Sequence, residues 1–199
     1  MTRLTVLVDE EAAAAGAVVV DRAHPHEEAR RRFGRRTWFP ASAFAWGDDR
    51  TAPGARLWFG LEEHVGWLAP DDEVAATDPA DVVKQVSFLK KSDIVDLAGF
   101  RRDYRHHVEV ARRHMHTLWQ YVQYDVVEIG GTDAALADGY VAVSVLWFRH
   151  TDDFLNRYFA SPEDQAQFTA QEGFLDLSRA FSLVVTSHPG AAPNARPVP

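Results

Sequence analysis

The chain has 199 residues and no cysteine. Disulfide staples, thiol nucleophiles and thiolate metal ligands are therefore excluded together. Positive charge is also short: 21 Lys and Arg stand against 29 Asp and Glu, a net charge of -8. That balance argues against a nucleic-acid grip, which needs a continuous positive face to meet phosphates. Lysine is confined to Lys84, Lys90 and Lys91, and the preference for Arg with abundant Ala points to a GC-rich bacterial genome. No apolar run approaches the roughly 18 residues of a membrane-spanning helix. Asp9, Glu10 and Glu11 interrupt the opening before a secretory apolar core can form. A soluble, cytoplasmic protein is the expectation. No Gly-x-Gly-x-x-Gly follows a strand, and neither a phosphate loop nor Gly-x-Ser-x-Gly occurs. Nucleotide-dependent and serine-hydrolase chemistry thus lack their signatures.

What is present is globular: 46% hydrophobic and 12% aromatic residues, enough to build a real core. Residues 1–80 read as an aromatic-rich, β-containing region. Leu4 to Val8 and Ala17 to Val20 have the β-branched character of strands, and Glu27 to Phe33 suits a short helix. The basic run from Arg30 to Arg36 reads as a solvated helix face. Trp38-Phe39, Phe44-Ala45-Trp46 and Leu57-Trp58-Phe59 are aromatic clusters separated by turn signals at Gly47-Asp48-Asp49 and Ala52-Pro53-Gly54. Pro70 to Pro79 is acidic and proline-bounded, a connection to the second half. The first half is open to reading as a degenerate copy of the second.

Residues 81–188 carry sharper signals. Val86 to Lys90 reads as a strand, and a helix runs from about Val95 to His114. Leu97, Phe100, Tyr104, Val108, Ala111 and Met115 recur at three- and four-residue intervals and form its apolar stripe, with His107 on the flank. Leu118 to Ile129 and Tyr140 to Phe148 are strands. Thr151-Asp152-Asp153 begins a helical stretch, and Ser161-Pro162-Glu163-Asp164 starts another, with Ser as cap and Pro at the first position. Phe181 to Thr186 is the last strand. Residues 189–199 are Pro/Ala-rich and read as a disordered tail. Strand, helix, strand, strand, helix, strand is the order of one ferredoxin-like βαββαβ unit.

Phe100-Arg101-Arg102-Asp103-Tyr104-Arg105-His106-His107 resembles the first-helix signature of EthD-type proteins. Trp119-Gln120-Tyr121-Val122-Gln123 resembles that family's second strand. Val145 to Phe148, Asp153-Phe154 and Ala160-Ser161-Pro162-Glu163 resemble its third strand and second helix. The likeness spans about 100 residues, half of the chain. It departs from the family pattern in two ways: the proline that follows the family histidine is absent after His107, and the register is one residue out. The resemblance implies an α+β, ferredoxin-like fold of the dimeric α/β-barrel kind, in which two sheets join across a homodimer and each unit keeps a pocket between sheet and helices. Polyketide cyclases and cofactor-free monooxygenases belong to that superfamily.

Several residues then suggest chemistry. A neutral His107 in a desolvated pocket suits acid–base work, and Tyr104 lies one turn away. Strand alternation puts Trp119, Tyr121, Gln123 and Asp125 on one face, unusually polar for a sheet face that must meet helices or a second sheet. Trp147, Tyr140, Phe154 and Tyr158 would crowd the same layer and suit a flat, apolar ligand. Each has an ordinary alternative: a histidine bonded to a carbonyl, an exposed Asp125, aromatics that are simply core. His114-Met115-His116 and His24-Pro25-His26 have i,i+2 spacing without carboxylates at zinc-site spacing, so no metal is expected. No cofactor is expected either. The leading expectation is a cofactor-independent enzyme of bacterial secondary metabolism. It would promote cyclisation or a related proton transfer on a hydrophobic, polyketide-like intermediate, with His107 and Tyr104 catalytic and Tyr121, Gln123, Asp125, Trp147, Phe154 and Tyr158 binding. A cofactor-free oxygenase of phenols and a non-catalytic small-molecule-binding protein are the alternatives. The first half either completes a barrel within one chain or caps the pocket of a homodimer.

Overall fold

The computed structural model describes residues 1–7, 19–23, 43–47, 55–78 and 80–187. Within them, eight strands close into one barrel: β1 (Thr2–Leu7), β2 (Val19–Ala23), β3 (Ala43–Gly47), β4 (Leu57–Trp67), β5 (Val83–Lys90), β6 (Leu118–Gly130), β7 (Tyr140–Phe148) and β8 (Phe181–Ser187). The order around the barrel is β1-β3-β2-β8-β5-β7-β6-β4, and every neighbouring pair is antiparallel. Four short or medium helices accompany it: α1 (Asp71–Ala76), α2 (Leu97–His114), α3 (Thr151–Asn156) and α4 (Pro162–Ala170). None of the described helices is long and apolar enough to cross a membrane.

This architecture overturns the expected ferredoxin-like, dimeric α/β-barrel. The barrel is a closed antiparallel one made by a single chain, and no second copy is needed to complete it. The reason lies in the first half. β4 pairs with β6 from Trp58 to Trp67, and β2 pairs with β8 through Asp21, Arg22 and Ala23. Both edges that would otherwise offer unpaired backbone groups are covered from within the chain. The individual elements of the second half lie close to their expected limits; what periodicity did not reveal is which strands meet at the edges. The connection at Pro70 to Pro79 also holds the unforeseen helix α1. The expected helix at Glu27 to Phe33, the basic run Arg30 to Arg36, the Trp38-Phe39 cluster, His24-Pro25-His26 and the tail 189–199 lie outside the described residues.

Alternation sorts the barrel strands into two faces. One face fills the interior, where Leu4, Phe44, Phe59, Phe88, Val122 and Val145 are fully or nearly fully buried. Phe88 sits among Phe44, Phe59 and Phe181, with ring centroids 5.0–5.7 Å apart. The same interior holds an ion pair between Lys84 and Asp21, to which Trp46 Nε1 adds a hydrogen bond of 2.7 Å. Trp147 also faces this interior, with the Lys84 ammonium 5.3 Å from its ring centroid.

The other face of β5, β7 and β8 meets α2, α3 and α4. Val83, Leu146, Phe148 and Val184 pack there against Ala111, Phe154 and Phe168. Asp96 caps α2 by accepting from the Gly99 amide at 2.7 Å. Arg112, Arg113 and His114 fill the last turn of α2, where positive charge suits the helix dipole. Ser161 caps α4 by accepting from the Asp164 amide at 3.1 Å, with Pro162 in the first turn. His114 Nδ1 then meets Asp164 at 2.9 Å and ties the two helices together. The buried stripe of α2 runs through Phe100, Tyr104, His107, Ala111 and His114, whereas Leu97 is 41% exposed. His107 is thus in the stripe itself, and Val108 has moved to its flank.

Candidate active site

Between the outer face of β5–β8 and the helices lies a cavity of about 490 Å³. That volume is within the ~300–1,000 Å³ typical of small-molecule sites. α2 contributes Tyr104 and His107, β6 contributes Tyr121, and Tyr158 follows α3. Phe168 comes from α4, and Glu172 and Phe174 from the turn after it. None of the described residues lining the cavity is Lys or Arg.

His107 is 7% exposed. Its ring stands edge-on to Phe168 and Phe174, with centroids 4.7 and 5.7 Å away. Its Nε2 is buried and has no hydrogen-bond partner among the described residues. Burial, with the nearby His106 adding to it, pushes the imidazole down to about 4. At neutral pH it is an uncharged ring that presents a free nitrogen to the cavity.

The two tyrosines differ in how their hydroxyls are used. The Tyr104 hydroxyl donates to the Val143 carbonyl at 2.9 Å, so its contact with Ser144 Oγ at 2.9 Å is one it accepts. Both its hydrogen-bonding directions are taken by the fold. Tyr121 is held the other way. Arg105 Nη1 donates to Gln123 Oε1 at 3.2 Å, which turns the Gln123 amide nitrogen toward the Tyr121 hydroxyl, 3.2 Å away. Tyr121 therefore accepts from Gln123 and keeps its own proton. The nearest protein acceptor, Ser144 Oγ, is 3.5 Å away, a long contact that leaves the proton available to a bound oxygen. Burial raises both phenols above their ordinary value, so both stay protonated.

A polar floor lies beside them. Gln85 Nε2 donates to Ser87 Oγ at 3.0 Å, and Ser87 and Ser182 share a 2.7 Å hydrogen bond. The Tyr158 hydroxyl donates to Gln85 Oε1 at 3.1 Å. Opposite, Glu172 sits in a turn fixed by its own amide on the Thr169 carbonyl at 3.1 Å and by the Leu175 amide on its carbonyl at 2.9 Å. Burial raises its carboxyl to about 7.

The residues expected from sequence are thus divided. His107, Tyr104, Tyr121 and Tyr158 meet at the cavity. Gln123 lies behind Tyr121, fully buried, where it also donates to the Tyr104 carbonyl. Phe154 is in the packing behind, tilted against Phe148 and Tyr158. Trp147 belongs to the barrel interior, because its side chain alternates away from Leu146. Trp119 leaves the face of Tyr121 as well: a bulge between Leu118 and Gln120 breaks the alternation, and its Nε1 donates to Glu73 at 3.1 Å. Sequence reasoning missed Glu172, Ser144 and the Gln85–Ser87–Ser182 floor. Ser144 was foreseeable from its place between Val143 and Val145 on a strand; Glu172 lies in a turn with no period.

Asp125 lies away from the cavity. Its Oδ2 takes a 2.7 Å bond from Arg105 and lies 3.6 Å from Arg101 and 3.4 Å from His64. One ligand atom each from Glu62, His64 and Asp125 lies within 4.8 Å of the others, an arrangement that could hold a metal ion. The spacing in sequence hid it because Asp125 arrives from a neighbouring strand, opposite Glu62. Two guanidinium groups already pair with Asp125, so the cluster is an ion-pair network in character. No family model matches the chain, and no curated protein matches it. Function must be argued from the cavity itself.

Proposed function

We propose that this protein is an enzyme that moves protons on a hydrophobic, polyketide-like molecule folded in the cavity, promoting cyclisation or a related rearrangement in the cytoplasm. One observation carries the reading: groups able to give and take protons, His107 and Glu172, share an aromatic-walled cavity with Tyr121, a phenol whose oxygen accepts from Gln123 and whose proton has only a long contact within the protein. Holding a flexible substrate in one reactive shape supplies part of the rate, and the acid–base groups supply the rest. The flat aromatic rings of Tyr158, Phe168 and Phe174 suit ring systems by stacking and edge contacts.

The aromatic wall also favours a second reading, a protein that binds and protects such a molecule without changing it. Titration with 2-tetralone, a flat bicyclic ketone, followed by intrinsic fluorescence, tests binding. NMR of the same mixture in D₂O tests chemistry. An enzyme speeds exchange of the ketone's α-hydrogens; saturable binding with exchange at the buffer rate supports the binding protein instead. Oxygen uptake with a phenol such as 2-naphthol would point to oxygenase chemistry. Solution mass separates a monomer of 22.3 kDa from the homodimer.

A further inference from the structure

We infer that Glu172 is the general base of the cavity and Tyr121 the donor to the enolate oxygen, so that the substrate is an uncharged ketone with acidic α-hydrogens. The inference rests on the proton-transfer reading above and assigns its atoms.

Three features of the geometry lead to it. The Glu172 carboxyl is half-buried on the cavity wall and has neither an ion pair nor a hydrogen bond with its side chain among the described residues. A carboxyl placed so costs stability unless a ligand uses it. Its backbone is pinned at both the amide and the carbonyl, so the fold holds the residue at the cavity wall. On β6, the Arg105–Gln123–Tyr121 chain makes the Tyr121 oxygen an acceptor, and its proton is left with only the long 3.5 Å contact to Ser144. A base on one wall and an oxygen-binding donor on another are the two parts that enolisation needs.

The other titratable groups facing Glu172 are His107 and Tyr104 from α2, Tyr121 from β6 and Tyr158 after α3. His107, Tyr104 and Tyr121 are uncharged near pH 7 and give it no ion pair. Glu172 titrates near neutrality, where a base is most effective, while His107 is too weak a base to compete. With no Lys or Arg among the described lining residues, and Arg105 held behind Gln123 and on Asp125, a carboxylate or phosphate on the substrate would find no direct ion pair there.

The step balances without any oxidant. The α-carbon's C–H bond breaks and its proton passes to a Glu172 oxygen. The C–H electron pair becomes the C=C bond, and the carbonyl π pair moves to oxygen, which takes the hydrogen bond from Tyr121. The enolate carbon then either takes a proton back from Glu172, which exchanges its α-hydrogen, or attacks a second carbonyl in the same molecule. In the second case a new C–C bond closes the ring, and Glu172 returns its proton to the resulting alkoxide. His107, uncharged, orients a second substrate oxygen.

The test is α-hydrogen exchange of 2-tetralone in D₂O. Wild type is expected to accelerate it saturably, with a rate that rises to a plateau through a midpoint near neutral pH. Glu172→Gln, nearly identical in shape, should lower the rate ~100-fold or more while 2-tetralone still binds. Tyr121→Phe should lower it by a similar factor. 2-Naphthoate should bind more weakly than 2-tetralone. Exchange that survives Glu172→Gln but is lost in His107→Gln, or a wild-type midpoint near 4, would overturn the inference and leave the proton-transfer reading standing. Tighter binding of 2-naphthoate than of 2-tetralone would overturn the substrate class. Exchange at the buffer rate with wild type would overturn both the inference and the reading.

Discussion

The imidazole of His107 meets the ring of Phe168 edge to face, 4.7 Å between centroids. With Phe174 on another side, this contact strips water from the imidazole and makes its protonated form costly. Glu172, at the same cavity, is burdened in the opposite protonation state, because its charged form is the deprotonated one. The two groups therefore give stability opposite dependences on pH.

For His107 the ordinary value of 6.5 falls to about 4, so its contribution is lost as pH falls from about 6.5 through 4. For Glu172 the ordinary value of 4.5 rises to about 7. The folded state holds a proton there that the unfolded chain releases, and stability is lost as pH rises from about 4.5 through 7. Glu172→Gln should raise stability at pH 8 by about 1–2 kcal/mol, tempered by the water that still reaches the carboxyl, and change little at pH 4. His107→Phe should move the acid unfolding transition to lower pH. Urea midpoints of each variant at pH 4, 6 and 8 give the answer; a Glu172→Gln protein no more stable than wild type at pH 8 would contradict the assignment.

Tyr104 and Tyr121 should separate in their effects. Tyr104→Phe takes a hydrogen bond each from the buried Val143 carbonyl and Ser144, and should cost about 1–3 kcal/mol in thermal or urea unfolding. Its effect on ketone exchange should be small by comparison. Tyr121→Phe removes only a long contact and one accepted bond, so activity should fall more than stability. Equal losses of exchange in both variants would speak against the difference in hydroxyl direction.

Inside the barrel, removing one partner of the Lys84–Asp21 pair should be severe. Lys84→Met or Asp21→Leu alone breaks the buried pair beside Trp46 and should cost about 3–5 kcal/mol. The double variant should lose less than the sum of the two, because the partners interact directly. A double-mutant cycle by urea unfolding measures the coupling; additive losses would mean the pair is not coupled.

At the end of β6, Gly131 has φ +102°, and a Cβ there would stand 2.4 Å from the Arg56 carbonyl oxygen. Gly131→Ala should cost about 2 kcal/mol or more, from backbone strain and the clash together. An unchanged melting temperature would show that this turn can relax.

Much of the second half is legible in the sequence because its signals are local. The stripe through Phe100, Tyr104 and Ala111 marks a helix with one buried face, and Ser161-Pro162 announces the start of another. Tyr104 and His107 follow from that stripe and Tyr121 from strand alternation, whereas Tyr158, after α3, sits on no period. Trp147 and Trp119 do not follow either, since a strand's inward face and a bulge depend on which neighbours it has. Asp125 looks like a ligand group until Arg105 and Arg101 arrive from the helix above. Glu172 has no pattern around it, and its meaning comes only from the unpaired imidazole and the phenol beside it.

Composition and local periodicity by themselves determined the absence of thiol chemistry, the positions of the later strands and helices, and the presence of a polar, aromatic layer between them. These depend on residues a few positions apart, whose preferences the backbone geometry of helix and strand expresses directly. Tertiary structure alone decided that β4 and β2 close the sheet into a barrel within one chain. It decided too that the Tyr104 hydroxyl is spent on the fold while the proton of Tyr121 keeps only one long contact. Both outcomes come from hydrogen bonds between residues far apart in sequence, and their partners are chosen by packing of the whole chain.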